Sequence, residues 1–169
     1  MNASAGEEKL HESQQLYRAL FNDTRSAYLV LAPDAPQFTI LDVNRAYLCA
    51  TMTERETLIG RGIFEVFPDN PSDADITGVH DLRASFNRVL ATRRSDTMAV
   101  LKYDIRCPDG SFEQRHWIPF NTPILNDSGD LLGIIHHAQD VTDYVQLRQR
   151  GTSEENERLE AEIVAAGHR

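Results

Sequence analysis

The residues best suited to chemistry in this chain are six histidines and two cysteines, set among 26 acidic residues. Enzymes assemble such groups in recognisable motifs, including a nucleophile elbow, a glycine-rich phosphate loop, the HExxH zinc pattern and paired cysteines. None of these motifs occurs in the sequence, and neither do the phosphoacceptor-histidine and ATP-binding regions of a kinase. The carboxylates are scattered and suggest no acid–base pair. We therefore expect that the chain is not an enzyme.

The end of the chain joins a predicted strand directly to a predicted helix. The strand-like run 131–140 leads through Asp140, Val141 and Thr142 into a polar helical tail. A carboxylate is favoured at the start of a helix, so we expect Asp140 to cap the helix or to form a pair there. Strain in the strand would reach the helix through these three residues. We interpret them as a signal relay.

Length, charge and composition limit the partners that the chain can have. Its 169 residues fit one domain with appendages. The net charge of −9, without a stripe of Lys or Arg, disfavours nucleic-acid binding. Apolar runs are too short to span a bilayer, the N-terminus lacks a secretory pattern, and two cysteines make no disulfide framework. These features predict a cytoplasmic protein that neither binds nucleic acid nor inserts into a membrane.

Hydrophobic spacing predicts the order of the helices and strands. Apolar residues at helical intervals favour helices over residues 10–21 and 79–92, and Asn44 is a suitable N-cap for a helix over residues 45–52. Alternating patterns favour strands over residues 27–32, 38–43, 97–106, 111–122 and 131–140. Strands at both ends with helices between them predict an α+β fold, in which helices cover one face of an antiparallel sheet.

This order, together with four short motifs, resembles a PAS domain. The motifs are Asp140-Val141-Thr142 at the exit, the helix led by Asn44, and the turns Pro108-Asp109-Gly110 and Asp127-Ser128-Gly129. The resemblance covers residues 14–142 and implies a five-stranded antiparallel sheet in the order 2-1-5-4-3, with helices that enclose a pocket. Residues 1–13 would be flexible or begin an N-terminal helix. Residues 143–169 would form a C-terminal signalling helix or the start of a coiled coil.

The resemblance also implies which residues line the pocket. Alternation places Ile134, His136 and Ala138 on one face of the last strand, and flavin-binding relatives direct a polar residue inward from the position of Ala138. His136 would therefore point inward, and it is the leading candidate for a polar ligand contact. The alternative is a core histidine that is hydrogen-bonded to a neighbouring strand or to Tyr103. The remaining pocket candidates are Phe67, Leu82, Phe86 and Tyr103, the last also expected to pair with Trp117 across two strands.

Heme and flavin are the cofactors that this resemblance suggests. His80 lies on the helix from which oxygen-sensing relatives ligate heme, but two residues from the ligand position near Leu82, which favours a solvated histidine over an iron ligand. Light-sensing relatives carry a reactive cysteine in the short helix that corresponds to residues 60–67, and this segment contains none. A covalent flavin adduct is therefore excluded, whereas the identity of any cofactor stays open.

Two helices are candidate dimer contacts. Leu16 and Leu20 lie on an apolar stripe of the first helix, and Val145, Leu159 and Ile163 lie on a seam of the tail. The middle of that seam is polar, as in a weak coiled coil whose register is set by polar positions. A solvent-exposed helix without a partner is the alternative for the tail. We expect a homodimer.

The function implied by the resemblance is that of a sensory and dimerisation module in a signal-transduction protein such as a sensor histidine kinase. The module would relay the state of a small-molecule ligand or a partner through its C-terminal helix to a downstream signalling domain. Two alternatives stay open. The first is a ligand-free interaction or dimerisation spacer, whose pocket is filled by Phe64, Phe67, Phe86 and Ile134. The second is a redox sensor that holds heme or flavin.

Overall fold

The computed structural model describes the backbone of residues 3–75 and 77–166, and the side chains of residues 4–75, 77–155, 157 and 158. Within these residues the helices are α1 (Ala3–Asp23), α2 (Arg45–Thr51), α3 (Arg55–Leu58), α4 (Ile63–Val66), α5 (Gly78–Thr92) and α6 (Thr142–Ala166). The strands are β1 (Tyr28–Leu31), β2 (Ile40–Val43), β3 (Asp96–Thr97), β4 (Leu101–Lys102), β5 (Ile105–Arg106), β6 (Phe112–Glu113), β7 (His116–Leu125) and β8 (Leu131–Asp140). Helices and strands follow in the order expected for an α+β fold.

The main sheet is antiparallel and runs in the order β2-β1-β8-β7-β3, and β4 also pairs with β7. If β3 and β4 are counted as one interrupted edge strand, this is the predicted order 2-1-5-4-3. The prediction of an unbroken strand over residues 97–106 is wrong, because β4 ends at Lys102 and β5 forms a separate hairpin with β6. The predicted fold is nevertheless confirmed.

The interruption of the edge strand has a local cause in β7. Thr97 pairs with Phe120 and Leu101 pairs with Trp117, so the edge strand uses four residue steps where β7 uses three. The carbonyl of Pro119 accepts a 3.0 Å hydrogen bond from the Met98 amide, and therefore faces this edge. Proline has no amide hydrogen to return, so the ladder loses a bond here. The extra residue is accommodated as a bulge.

The hydrophobic core lies between the inner face of the sheet and helices α2–α5. Alternation along the strands buries Leu29 and Leu31 on β1, and Ile134, His136 and Ala138 on β8. Helix α5 contributes Leu82, Phe86 and Val89 at spacings of three and four residues. The sequence pattern thus gives each element one apolar face, and these faces meet in a single core.

Helix α1 extends further toward the N-terminus than its apolar stripe. It begins at Ala3, so residues 3–13 are helical. Most of the stripe remains uncovered in this chain: the side chains of Leu10, Leu16 and Leu20 are 60%, 61% and 66% exposed. The C-terminal part of the helix docks against the sheet, where the Tyr17 hydroxyl donates to Asp42 on β2 at 3.1 Å and Phe21 stacks against Tyr28 with ring centroids 6.5 Å apart.

Asn44 joins the N-terminal part of the chain to the sheet. Its Oδ1 accepts the backbone N–H groups of Tyr47 at 3.0 Å and Tyr28 at 2.9 Å, and therefore caps α2 as predicted. Its amide group donates to the carbonyls of Phe21 and Ser26. One buried side chain thus ties the end of α1 to β1 and α2.

Among the described residues, no helix combines the length and the apolar character needed to cross a bilayer.

Candidate ligand cavity and helix junction

A cavity lies between helices α2, α4 and α5 and the inner face of β7 and β8. It offers about 40 Å³ to the centre of a water molecule, and about 10–15 Å³ of such space holds one water. Its lining is mostly apolar and aromatic. The lining residues are Tyr47, Thr51, Ile63, Phe67, Leu82, Leu101, Tyr103, Ile105, Trp117, Pro119, His136 and Ala138. The cavity therefore accepts a few non-hydrogen atoms in this conformation.

Five of the seven predicted pocket residues line this cavity: Phe67, Leu82, Tyr103, His136 and Ala138. Ile134 and Phe86 are fully buried, but they lie in the packed core beside it. Phe86 packs against Phe38 and Phe64, with ring centroids 5.1 and 6.0 Å away. The assignment of Ile134 and Phe86 to the cavity lining is therefore wrong, because aromatic packing closes that part of the space.

His136 is the polar side chain at the centre of the site. It is 3% exposed, and its Nδ1 lies 2.7 Å from Oδ1 of Asn121, the residue opposite it on β7. The edges of the Tyr47 and Phe86 rings flank it. Burial, with a smaller contribution from neighbouring His137, lowers the pKa of His136 to about 3. The imidazole is therefore neutral at physiological pH.

The hydrogen bond from His136 continues away from the cavity through three further side chains. Asn121 donates from Nδ2 to Oγ of Ser85 at 2.7 Å, and Ser85 donates to Asp96. Asp96 is also bound by Arg88 through two nitrogens at 2.8 and 3.1 Å. The Asp96–His136 network, comprising Asp96, Ser85, Asn121 and His136, thus connects the cavity to an ion pair near the surface.

Tyr103 and Trp117 both line the cavity, but they do not form the predicted cross-strand pair. Tyr103 lies between β4 and β5, and the residue opposite Trp117 is Leu101. Instead, the indole N–H of Trp117 donates to the Tyr103 carbonyl at 2.9 Å, and the Tyr103 hydroxyl donates to the Phe67 carbonyl. A Cβ at Gly78 would lie 2.8 Å from the Tyr103 ring, so only glycine allows α5 to pack this closely.

The predicted relay residues form a hydrogen-bonded junction between β7, β8 and α6. The α6 junction comprises Arg115, His116, Asp140 and Thr142. Oδ1 of Asp140 accepts hydrogen bonds from the backbone N–H of Thr142 at 2.9 Å and from the Thr142 hydroxyl at 2.6 Å. Oδ2 of Asp140 accepts a hydrogen bond from Arg115 at 2.7 Å. Thr142 Oγ1 accepts the His116 N–H at 2.9 Å, and the amide of Val141 donates to the His116 carbonyl at 2.9 Å.

A family comparison agrees with this geometry. The family model described as the PAS fold matches residues 21–146, which is most of the chain. This chain belongs to the PAS family. The resemblance read from its motifs is confirmed, and the general role of such domains in sensing applies to it. No curated protein matches the chain.

Solved structures of other PAS-type domains share this fold. An RNA-binding light-oxygen-voltage receptor superposes with a TM-score of 0.61 at 19% identity, covering 86% of this chain and 38% of the receptor. A light-oxygen-voltage (LOV) protein of Rhodobacter sphaeroides gives 0.59 at 14% identity, covering 78% and 68%. The PAS domain of an HTR-like protein from Haloarcula marismortui gives 0.55 at 18%, covering 81% and 98%. At such identities the likeness concerns the fold, and this chain spans well under half of the RNA-binding receptor.

The cavity of this PAS domain does not fit heme or flavin, the two cofactors that the resemblance suggests. Ligand and cofactor pockets usually measure about 300–1,000 Å³, far more than is open here. The His80 side chain is 85% exposed, lies against Asp81 and faces solvent, as favoured from its spacing. Among the described residues, no group of three His, Cys, Asp or Glu side chains is placed to hold a metal ion. In this conformation the residues present fit neither heme nor flavin.

The polar partners of His136 were missed by sequence reasoning, although a signal for them exists. Asn121 lies in phase with Trp117 and Pro119 on β7, and all three are buried. Ser85 lies three residues after Leu82 on the buried stripe of α5. Polar residues at these in-phase positions indicate buried hydrogen bonds. Asp96 sits in a two-residue strand, and nothing in its local pattern reveals its role.

The predicted dimer residues are only partly described. Leu16 and Leu20 are exposed on α1, and Val145 is half-buried near the start of α6. The side chains of Leu159 and Ile163 lie outside the described residues, so the predicted seam stays a prediction.

Proposed function

We propose that this PAS domain senses a small ligand in its cavity and passes the ligand's presence through α6 to a downstream signalling domain, such as that of a histidine kinase. The chain itself acts without catalysis, as a binding and relay module. The observation that carries this proposal is the closeness of the cavity to the α6 junction along two strands. A regulatory ligand must bind two states of its receptor with different affinity. Because the cavity and the α6 junction share two strands, a change in the direction of α6 would change the contacts that the ligand makes.

The strands β7 and β8 provide that route. Trp117 lines the cavity, pairs directly with Asp140, and follows His116 in the chain. Ala138 lines the cavity two residues before Asp140. A ligand that displaces Trp117 or Ala138 would therefore shift the backbone groups to which Asp140 and Thr142 are bonded. The direction of α6 would change with them.

The proposed partners are a second copy of the chain and the downstream domain. The exposed apolar side chains of α1, together with Tyr144 and Leu147 of α6 at 60% and 70% exposure, support association with protein surfaces. The net charge of −9 supports protein over nucleic-acid partners, and the expected cytoplasmic location belongs to the same proposal. Sedimentation at micromolar concentration tests the homodimer.

A cavity-filling substitution tests the route from cavity to helix. Ala138→Val places two methyl groups toward the cavity and keeps a residue suited to a strand. We expect hydrogen–deuterium exchange of the first two turns of α6, residues 143–149, to change several-fold. Gln139→Val is the matched control, because the neighbouring side chain points to the outer face of the same strand. Unchanged exchange in a folded Ala138→Val variant contradicts the proposal.

A ligand-free interaction spacer is the second candidate, and the small size of the cavity favours it. The aromatic cluster of Phe38, Phe64 and Phe86 fills the space beside the cavity. Native mass spectrometry of protein purified from its own cells separates the two functions. A co-purifying small molecule that is lost in Ala138→Val supports the sensor, and bare protein in both variants supports the spacer.

A further inference from the structure

The Asp96–His136 network has a fixed hydrogen-bond direction, and its outer end determines it. Asp96 is held by two nitrogens of Arg88, which lowers the pKa of its carboxyl group. An ionised carboxylate can only accept hydrogen bonds. The hydroxyl group of Ser85, which contacts Oδ2 of Asp96, must therefore be the donor in that bond.

The donor role of Ser85 then fixes the donor and acceptor roles of Asn121 and His136. Because the Ser85 hydrogen is used, its oxygen can only accept from Asn121, so the amide group must present Nδ2 to it. The carbonyl Oδ1 of Asn121 is then turned toward His136 at 2.7 Å. A carbonyl oxygen accepts, so the proton of the neutral imidazole lies on Nδ1. Nε2 carries only a lone pair.

This lone pair is available to the cavity. Among the described residues, Nε2 of His136 has no hydrogen-bond partner, and the His136 side chain lines the cavity. Tyr47 also lines the cavity, and within the described part of the chain its hydroxyl group has no partner either. Burial raises the pKa of Tyr47, so that group stays protonated. The site thus combines an acceptor that cannot donate with a hydroxyl group.

We propose that Asp96, acting as a positioning residue through Ser85 and Asn121, holds His136 as a hydrogen-bond acceptor and so restricts the cavity to small neutral ligands that carry a hydroxyl or N–H donor. An anion would meet the Nε2 lone pair and is disfavoured. An ether or a ketone that occupied the cavity would fill the space beside that lone pair without donating a hydrogen bond to it, which costs affinity. This inference rests on the proposed ligand-sensing function of the cavity, which it deepens.

The tautomer of His136 is the first test, and it requires no ligand. Long-range proton–nitrogen correlation spectra of the full chain labelled with ¹⁵N-histidine should show His136 protonated at Nδ1 and bare at Nε2. Asp96→Asn supplies an amide group that can donate to Ser85, which releases the direction of the chain. We expect the Nε2-protonated form to appear in this variant.

Two further variants test whether the carboxylate at position 96 sets the tautomer of His136, even if Asp96→Asn fails to fold. Arg88→Gln keeps the carboxylate at position 96 and should preserve the wild-type tautomer. Ser85→Ala removes the link between Asp96 and Asn121 and should allow both tautomers, even if Asp96→Asn does not fold. A wild-type spectrum with the proton on Nε2 overturns the inference, as does a fixed Nδ1 tautomer in both Ser85→Ala and Asp96→Asn.

The second test compares ethanol with dimethyl ether, which are isomers that differ in their ability to donate. In wild-type protein, ethanol should shift the Nε2 resonance of His136 and bind about fivefold more tightly than the ether. The preference should disappear in Asp96→Asn. Equal binding of both isomers to wild type overturns this inference alone. If neither isomer perturbs His136, the ligand-sensing function fails together with the ligand class inferred here.

Discussion

Strand β7 carries two hydrogen-bond arrangements that differ in burial and in completeness. At its centre, Asn121 is fully buried, and each of its side-chain polar atoms has a partner in the Asp96–His136 network. At its start, the α6 junction is partly exposed: Thr142 is buried, whereas the Arg115 and Asp140 side chains are 24% and 29% exposed. Among the described residues, Nε of Arg115 and Nδ1 of His116 are buried there without a partner.

This difference indicates where the domain is rigid and where it can move. The four side chains of the Asp96–His136 network are joined by hydrogen bonds without a gap, and Nε2 of His136 faces the cavity. Rearranging this network is costly, since each broken bond leaves an unpaired group in the protein interior. At the junction the ion pair between Arg115 and Asp140 is partly exposed, so water can replace those hydrogen bonds when they break. The interior therefore holds one geometry, and the junction can adopt alternatives.

The largest expected effect follows from removing the centre of the interior network. Asn121→Ala leaves the His136 N–H and the Ser85 oxygen unpaired and creates a small void. We expect the free energy of unfolding to fall by about 3–5 kcal/mol, as measured by chemical denaturation. Thr122→Ala is the control, because this neighbouring side chain is exposed, and it should cost less than about 1 kcal/mol. Similar losses in both variants would contradict the claim that the buried hydrogen bonds of Asn121 hold the interior in one geometry.

The pH dependence of stability is the next largest effect. The pKa of His136 is about 3 in the folded chain and near 6.5 when unfolded, so between these values the unfolded chain binds more protons. Stability therefore falls as the pH decreases through this window, by roughly 2–3 kcal/mol between pH 6.5 and 4.5. His136→Asn keeps a donor near the Nδ1 position and removes the titration. Its unfolding free energy should fall correspondingly less over that range.

The same pH series contains its own internal control. His137 also has a lowered pKa because of partial burial, and it contributes to the slope in both proteins. The difference between the two slopes therefore belongs to position 136. Parallel pH profiles would mean that His136 is protonated in the folded chain, which would contradict a buried neutral imidazole.

Periodicity in the sequence was enough to predict an α+β fold, and together with the resemblance to PAS domains it predicted the inward direction of His136. The predicted order of helices and strands follows from patterns that span many residues and tolerate local errors, whereas the sheet order 2-1-5-4-3 came from the resemblance to PAS domains. By contrast, the break between β3 and β4 depends on one missing N–H at Pro119 and one extra residue. Such local events leave only a weak trace in the alternation of apolar side chains.

The site was predicted in its apolar part and missed in its polar part. Leu82, Phe67 and Ala138 lie on apolar faces that must point inward, so their positions follow from the pattern. The partner of His136 depends on strand register, which pairs Asn121 with it across a distance of fifteen positions. The role of Asp96 depends on three-dimensional contacts with α5, and no periodic signal specifies those contacts.

The smallest expected change in stability lies at the α6 junction, where the change in dynamics should be clearest. Thr142→Val removes the hydroxyl group that accepts the His116 N–H and donates to Asp140. We expect a loss of about 1–2 kcal/mol in unfolding free energy, with faster amide exchange in the first two turns of α6 and unchanged exchange around Asn121. Thr152→Val is the matched control, since that hydroxyl group donates only to the Arg148 carbonyl on the exposed part of the same helix. If Thr142→Val increased amide exchange around Asn121 as much as in the first two turns of α6, the two regions would behave as one rigid unit. Relay through a movable junction would then lose its basis.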